Sequence, residues 1–263
     1  KAFIQTAGGI PHPLSVQEAH NFEPGLDDIA HAFASGVKGL LLASPSNPTG
    51  TRISQNRLKQ ILAICQAQER FLILDEIYQE LVYDSPASSL LELAGAPTRD
   101  NPFVVINSFS KFFGMTGLRL GWMVLPPQLL APIEKLAQNL AICPNTPAQV
   151  AALDCFTPEV LGLCEQRRLA FAERRQYLLE HLPRVGLDFS SQPDGAFYFY
   201  LKSPYHSDQY CMDLLEQTGV CTVPGKDFSA SQGGRMFRIS YANSLENIKK
   251  ALELIEGFHQ KLR

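Results

Sequence analysis

The chain has 263 residues, of which 45% are hydrophobic and 19% charged, a balance typical of a globular protein with a large core. Its 23 lysines and arginines against 26 aspartates and glutamates leave a formal charge of -3, so no basic field is available for nucleic acid. No apolar run reaches the roughly 18 residues that a membrane helix needs. We therefore expect neither nucleic acid nor membrane as a partner.

The six cysteines are scattered along the chain without a Cys-x-x-Cys pair. This spacing disfavours a zinc site or a dithiol redox motif, and we expect no metal. The first residues have neither the charged region nor the apolar region of a signal peptide, so we expect a cytoplasmic protein.

The first half of the chain contains three apolar runs that predict buried parallel strands, at residues 39–43, 71–74 and 103–106. Ser54 is placed to cap a helix between the first two runs. The buried face of that helix is predicted from apolar residues at the i, i+3, i+4 and i+7 spacing: Leu58, Ile61, Leu62 and Cys65.

The segments that follow these strands are the candidate site. In open α/β sheets, ligands bind just past the carboxyl ends of the strands. We therefore expect residues 44–50, 75–78 and 107–111 to meet at one edge of a mostly parallel sheet with flanking helices.

The second half of the chain has a different character. The run from Pro158 to about Leu182 is rich in Glu, Arg, Leu and Ala, which predicts a long linking helix. Alternating runs at 197–201 and 236–241 predict half-exposed strands, and a terminal helix is expected from Leu245. These patterns predict a large domain over residues 1–157, then the linking helix and a small C-terminal α+β domain over residues 158–263.

Lys111 is the first candidate catalytic residue. Apolar residues precede and follow it, which would desolvate its amine, lower its pKa and make it a nucleophile for carbonyl groups. Ser108, Ser110 and Arg119 lie close by in sequence and are the donors that a phosphate needs. A Schiff-base lysine beside a phosphate site suggests pyridoxal phosphate.

Asp75 and Tyr78 fit a second demand of that cofactor. Its ring nitrogen must stay protonated to withdraw electrons from the substrate, so a carboxylate must face it. Asp75 follows the apolar run at 71–74, and Tyr78 is near enough to hydrogen-bond the ring hydroxyl.

Four motifs carry a resemblance to a known family. They occur in this order: Ser44-Pro-Ser-Asn-Pro-Thr-Gly50, Asp75-Glu-Ile-Tyr78, Ser108-Phe-Ser-Lys111 with Arg119, and Phe237-Arg-Ile-Ser240. Together they are similar to those of the fold type I, class I/II pyridoxal-phosphate aminotransferases. The resemblance covers nearly the whole chain and implies pyridoxal 5'-phosphate as the cofactor.

The resemblance implies roles around the cofactor ring. Lys111 would form the Schiff base and move the proton at the substrate α-carbon. Asp75 would hold the protonated ring nitrogen, while Tyr78 and Asn47 would hydrogen-bond the ring oxygen. Proline after Asn47 restricts that residue to extended geometry, and it also allows a cis bond.

The resemblance also implies how phosphate and substrate are held. Ser108, Ser110 and Arg119 would bind the phosphate. Asn47 and Arg238 would bind the substrate, with Arg238 holding its α-carboxylate. The sequence supports Arg238 independently, because it alternates with apolar neighbours and so points away from the face that they bury.

The segment Gly195-Ala-Phe-Tyr198 resembles the family's small-domain segment near the substrate, but a plain core strand is at least as good an interpretation for Phe197 to Leu201. The implied activity is the transfer of an amino group from an amino acid to a 2-oxo acid by a homodimer, in a ping-pong mechanism. A lyase or synthase on the same scaffold, and a non-catalytic sensing domain, stay open as alternatives.

The chain begins at Lys1 without a methionine. We expect it to lack the N-terminal part of the family's large domain. That part would contain the helix N-terminus that binds the cofactor phosphate and the aromatic side chain that stacks on the ring. Without it, apolar faces of the sheet would be bare.

Overall fold

The apolar runs of the first half form one sheet, sheet A, in the computed structural model, which describes residues 1–189 and 191–262. Strands β1 (Gly39–Ala43), β2 (Phe71–Asp75) and β3 (Phe103–Ser108) pair in parallel, which confirms the predicted α/β sheet. The second and third strands extend beyond the predicted runs, so Asp75 and Ser108 are themselves strand residues.

A fourth strand, β4 (Gly121–Val124), pairs antiparallel with β3 and was not predicted. The strand is short, and its sequence Gly-Trp-Met-Val has no clear alternation of polar and apolar residues. Its first residue allows the two strands to approach, because a Cβ on Gly121 would lie 2.7 Å from the Asn107 carbonyl oxygen.

Helices cover one face of sheet A. They are α2 (Leu26–Ala34), α3 (Gln55–Ala67) and α4 (Leu90–Ala94), and a short helix α1 (Ala2–Thr6) precedes them. The side chain of Ser54 accepts a hydrogen bond from the Arg57 amide, which confirms the predicted N-cap of α3. The predicted apolar face of α3 is also confirmed, since its four residues are all buried: Leu58, Ile61, Leu62 and Cys65.

The opposite face of sheet A is open. Leu41, Phe71 and Met123 lie on it and are 55%, 45% and 48% exposed. The strand register places Asp75 on this same face. The expected bare apolar face is therefore present in the described chain, and the candidate site lies at its edge.

The long linking helix is α7 (Pro158–His181), one residue shorter than predicted, and Thr157 caps it. Two helices that were not predicted precede it, α5 (Pro127–Ala141) and α6 (Thr146–Leu153). No helix in the described part of the chain is long and apolar enough to cross a membrane.

The last part of the chain forms a second sheet, sheet B, with the antiparallel order β5-β7-β6. Its side chains form a core with the end of α7 and with the two helices that follow it. The elements are β5 (Tyr198–Lys202), α8 (Ser207–Thr218), β6 (Val223–Pro224), β7 (Met236–Ser240) and α9 (Leu245–Leu262).

The prediction that these strands are half-exposed is wrong for β5, in which Tyr198, Phe199, Tyr200 and Leu201 are all buried. Phe199 and Leu201 pack in the core with α9, as the alternation predicted. The two tyrosines face the other way, but that side is covered by protein rather than by water. Alternation separates the two faces of a strand and does not reveal what covers each.

Candidate active site

The three predicted segments meet at one edge of sheet A. Backbone hydrogen bonds join neighbours there: the Ser44 amide donates to the Asp75 carbonyl at 3.0 Å, and the Glu76 amide donates to the Ile106 carbonyl at 2.8 Å. The parallel order of the strands produces this meeting, because their carboxyl ends lie at the same edge.

The loop between Ser44 and Gly50 carries Asn47 to the site. Its Ser44–Pro45 and Asn47–Pro48 bonds are both cis, so the cis form that proline allows at Asn47 is present. The loop closes on itself through a 2.8 Å hydrogen bond from the Gly50 amide to the Ser46 carbonyl.

Two glycines bring this loop against the chain that leads into sheet B. The Gly195 amide donates to the Gly50 carbonyl at 2.8 Å. A Cβ on Gly50, whose φ is +69°, would lie 2.6 Å from the Tyr198 carbonyl oxygen, and a Cβ on Gly195 would lie 2.5 Å from Pro45. No side chain fits at either position, so glycine allows Asn47 to reach sheet B.

Arg238 on β7 contacts that loop. Its Nη1 donates to Asn47 Oδ1 at 2.7 Å. Its guanidinium carbon lies 4.4 Å from the centre of the Tyr198 ring and 4.9 Å from that of Phe228. Its Nε is buried and has no hydrogen-bond partner among the described residues. The guanidinium is thus held by two aromatic rings with a donor free for an anion.

Lys111 lies in the turn after β3 with its side chain half-buried. Its Nζ is 5.6 Å from the centre of the Tyr78 ring and 5.8 Å from that of Phe197. Burial lowers the pKa of Lys111, and the positive charges of Arg119 and Arg238 lower it further. These effects favour the neutral, nucleophilic amine.

Asp75 ends β2 with a carboxylate that no described lysine or arginine pairs with. Its Oδ1 accepts a hydrogen bond from the Ile77 amide at 3.0 Å. Burial raises the pKa of Asp75, and the Ile77 hydrogen bond partly opposes that rise. The site therefore holds a partly buried carboxylate that a cationic ligand would stabilise.

Tyr78 follows in the same segment and is buried. Its hydroxyl lies 2.9 Å from the hydroxyl of Tyr198. Burial raises the pKa of Tyr78 well above its usual value, and the hydrogen bond to Tyr198 adds to the rise, so the phenol stays protonated.

The two serines of the predicted phosphate site are in contact. Ser108 Oγ lies 2.9 Å from Ser110 Oγ and 3.1 Å from the Leu120 carbonyl, and it accepts from the Ser110 amide at 3.0 Å. Arg119 is exposed, with left-handed backbone geometry, and donates to the Thr116 carbonyl at 3.0 Å. No described hydrogen bond joins Arg119 to either serine.

Three further residues near the site were given no role by the sequence analysis. Tyr198 lies in a segment that resembled the family's segment near the substrate but fitted a core strand at least as well. The structure combines the two interpretations, because Tyr198 is a buried strand residue that also contacts Tyr78 and Arg238. Phe228, the second ring on Arg238, gave no local signal. Glu76 is buried and accepts from Ser89 Oγ and the Leu90 amide, both at 2.7 Å, which anchors α4 beneath the site.

Comparison with known proteins gives the family. The family model "Aminotransferase class I and II" matches residues 1–255. The valine–pyruvate aminotransferase of Mycobacterium tuberculosis is 41% identical over 223 residues, which cover 83% of this chain and 56% of that enzyme. The aspartate aminotransferase of Thermotoga maritima is 31% identical over 255 residues, which cover 97% of this chain and 65% of that enzyme.

Solved structures agree with that assignment. An aminotransferase from Mycobacterium tuberculosis superposes with a TM-score of 0.85 at 36% identity, covering 95% of this chain and 63% of its own. The aspartate aminotransferase of Thermotoga maritima gives a TM-score of 0.89 at 31% identity, covering 98% and 66%. The chain belongs to the class I and II aminotransferase family. It spans between 56% and 66% of the lengths of these relatives.

Members of this family use pyridoxal 5'-phosphate, and the residues of the site fit that group. The Asp75 carboxylate, which pairs with no described lysine or arginine, suits a protonated ring nitrogen. A half-buried amine with a lowered pKa, at Lys111, suits an aldehyde. The adjacent hydroxyls of Ser108 and Ser110 suit a phosphate.

Proposed function

We propose that the whole protein is a pyridoxal-phosphate-dependent aminotransferase that moves an amino group from an amino acid to a 2-oxo acid in a ping-pong mechanism. The observation that carries the proposal is the pair of groups that the two sheets supply. The turn after β3 of sheet A supplies the Lys111 amine, whose pKa is lowered. Sheet B supplies Arg238, whose buried Nε has no partner in the described chain. A reactive amine and a carboxylate-binding cation are what an amino acid substrate requires.

Once bound, pyridoxal phosphate supplies an aldehyde that takes up the amino group and a ring that withdraws electrons. In this proposal Lys111 would hold the cofactor covalently, and once the substrate amine has displaced it, the freed Lys111 amine would move the proton at the substrate α-carbon. Asp75 would keep the ring nitrogen protonated, because a partly buried carboxylate favours a cation beside it. Tyr78 and Asn47 donate hydrogen bonds to the ring oxygen.

The proposal assigns Ser108, Ser110 and Arg119 to the cofactor phosphate. It assigns Arg238, held flat by Tyr198 and oriented by Asn47, to the substrate carboxylate, which it would bind through parallel N–H donors. We further propose that the rest of the phosphate site and the ring-stacking side chain come from residues outside this chain.

We also propose the division into a large domain over residues 1–157 and a small domain, with its linking helix, over residues 158–263. Sheet A lies within the first range and sheet B within the second, and α7 connects the two parts. The catalytic site then lies between the domains, since Lys111 comes from one range and Arg238 from the other.

A homodimer is proposed as the active form. The support is a group of exposed apolar side chains on and beyond α5 and α6, including Leu140 at 82%, Leu153 at 74% and Phe156 at 60% exposure. A cytoplasmic location is proposed because the six cysteines are all free, which fits a reducing compartment.

The test of the function begins with the full-length protein, incubated with pyridoxal phosphate, reduced with borohydride and mapped by peptide mass. We expect a single adduct on Lys111, and none at that peptide in Lys111→Ala. Amino transfer to a 2-oxo acid should then follow, with Lys111→Ala at least about 10²-fold slower.

Two results would contradict the proposal. Absence of an adduct at Lys111 would show that this residue forms no Schiff base with the cofactor. Release of pyruvate and ammonia from the amino acid, without any need for a 2-oxo acid acceptor, would identify a lyase instead.

A further inference from the structure

Tyr198 contacts both sides of the candidate active site. Its hydroxyl lies 2.9 Å from that of Tyr78, although the two residues are 120 positions apart in sequence. The same ring carries the Arg238 guanidinium at 4.4 Å from its centre. Tyr198 is only 6% exposed, so surrounding protein fixes its orientation. One side chain therefore joins a residue proposed for the cofactor to the residue proposed for the substrate carboxylate.

The hydroxyl of Tyr198 determines how Tyr78 can donate. Each phenol has one O–H, so if Tyr78 donates outward into the site, its oxygen accepts from Tyr198. The hydrogen bond from Tyr198 to Tyr78 strengthens the one that Tyr78 donates into the site, because each bond in such a chain polarises the next. Three charged groups also act on Tyr78: Lys111, 5.6 Å above its ring, and Asp75 and Arg238. In the described chain, Tyr198 is the hydrogen-bond partner of the Tyr78 hydroxyl.

We propose that Tyr198 is a positioning residue with two separable parts: its hydroxyl orients Tyr78 toward the cofactor, and its ring holds Arg238 for the substrate carboxylate. This inference rests on the proposed function. It adds that the cofactor side and the carboxylate side of the site are set by one strand residue.

The first variant, Tyr198→Phe, removes the hydroxyl and keeps the ring. In the full-length holoenzyme, we expect pyridoxal phosphate to dissociate about three to ten times more readily, the effect of one lost hydrogen bond. The pH midpoint of the bound cofactor's visible absorption should move upward. A weaker donor at the ring oxygen stabilises the deprotonated form of the cofactor less, so a higher pH is needed to reach that form. The KM for the amino acid should change by less than about twofold, since the platform under Arg238 remains.

The second variant, Tyr198→Leu, removes the ring as well. The guanidinium then loses one of its two aromatic contacts, and we expect the KM for the amino acid to rise about tenfold above that of Tyr198→Phe. A purely structural role for Tyr198 would not divide its effects in this way between cofactor and substrate.

Tyr200→Phe is the matched control. Tyr200 lies two residues along the same strand, is similarly buried at 7% exposure, and points its hydroxyl at the Gly225 carbonyl, 3.5 Å away. We expect neither the absorption midpoint nor the cofactor affinity to change in this variant.

Tyr78→Phe supplies the second test. If Tyr198 acts through Tyr78, the double variant Tyr78→Phe/Tyr198→Phe should lose little more cofactor affinity than Tyr78→Phe alone. The proposal is overturned if Tyr198→Phe behaves like Tyr200→Phe, or if its effect is undiminished without the Tyr78 hydroxyl. A wild-type protein with no cofactor at Lys111 would instead overturn the proposed function, so the two failures are distinct.

Discussion

At the scale of single residues, Lys111 couples the chemistry of the site to the stability of the fold. Because burial lowers its pKa below the ordinary value of 10.5, the folded protein holds this proton less tightly than the unfolded chain does. The contribution of Lys111 to stability is therefore fully present above pH 10.5 and is lost as the pH falls through the folded-state pKa. At neutral pH the lowered pKa of Lys111 therefore opposes folding of the cofactor-free protein.

We accordingly expect Lys111→Met to raise the free energy of unfolding of the cofactor-free protein at pH 7, and the gain to shrink as the pH is raised. Urea unfolding at a series of pH values measures both. Lys59→Met, at an exposed lysine on α3, is the control for exchanging the two side chains. A gain that is the same at every pH would mean that burial of the charge is not its cause.

At Arg238 we expect the planar shape of the guanidinium, and not only its positive charge, to matter for substrate binding. A lysine there would keep the positive charge but lose the planar group that the two rings hold and that donates to Asn47. We expect Arg238→Lys to raise the KM for the amino acid by about tenfold or more, with a smaller effect on cofactor affinity. Arg235→Lys, at an exposed arginine just before β7, is the matched control and should leave KM unchanged in steady-state assays.

At the scale of elements, the loop after β1 is held in place by backbone packing. Gly50 combines a φ of +69° with a site where a Cβ would lie 2.6 Å from the Tyr198 carbonyl oxygen. Gly219, after α8, has a φ of +76° but nothing within 4 Å of such an atom. A side chain at Gly50 would therefore meet both backbone strain and steric overlap, whereas one at Gly219 would meet backbone strain alone.

We expect Gly50→Ala to lower the free energy of unfolding by about 3 kcal/mol or more, since it adds overlap to strain. Gly219→Ala should cost only about 1–2 kcal/mol, the strain alone. Denaturant unfolding of the full-length protein measures both. Equal losses in the two variants would show that the contact between the loop and β5 is not tightly packed.

At the scale of the whole molecule, the open face of sheet A is an exposed apolar feature in addition to the apolar group on and beyond α5 and α6. Leu41 and Met123 lie on it and are about half exposed. We expect the chain, expressed alone, to self-associate and to bind a hydrophobic dye, because both processes remove exposed apolar surface from water. Leu41→Lys with Met123→Lys should reduce both effects in light scattering and dye fluorescence. A chain that is monomeric at micromolar concentration without dye binding would contradict this expectation.

The elements that the sequence predicted best are those with strong local signals. The three buried strands and α3, with its Ser54 cap, follow from short apolar runs and helical spacing. The strand β4 lacked a comparable signal. The helices α5 and α6 were missed although proline stands in the first turn of each and the Asn145 side chain caps α6. The expectation for β5 failed because its tyrosines are covered by Tyr78 and Phe22, which are more than a hundred residues away in sequence.

By itself, the sequence determined which side chains stand at or just past the carboxyl ends of the three parallel strands of sheet A, because these strands follow from local apolar runs. It also determined that Arg238 faces away from the core, since alternation along a strand is local. The meeting of Asn47 with Arg238, and of Tyr78 with Tyr198, was decided only in the tertiary structure. These contacts join residues far apart in sequence, and they depend on the close packing of the loop at Gly50 against Gly195, which no local pattern encodes.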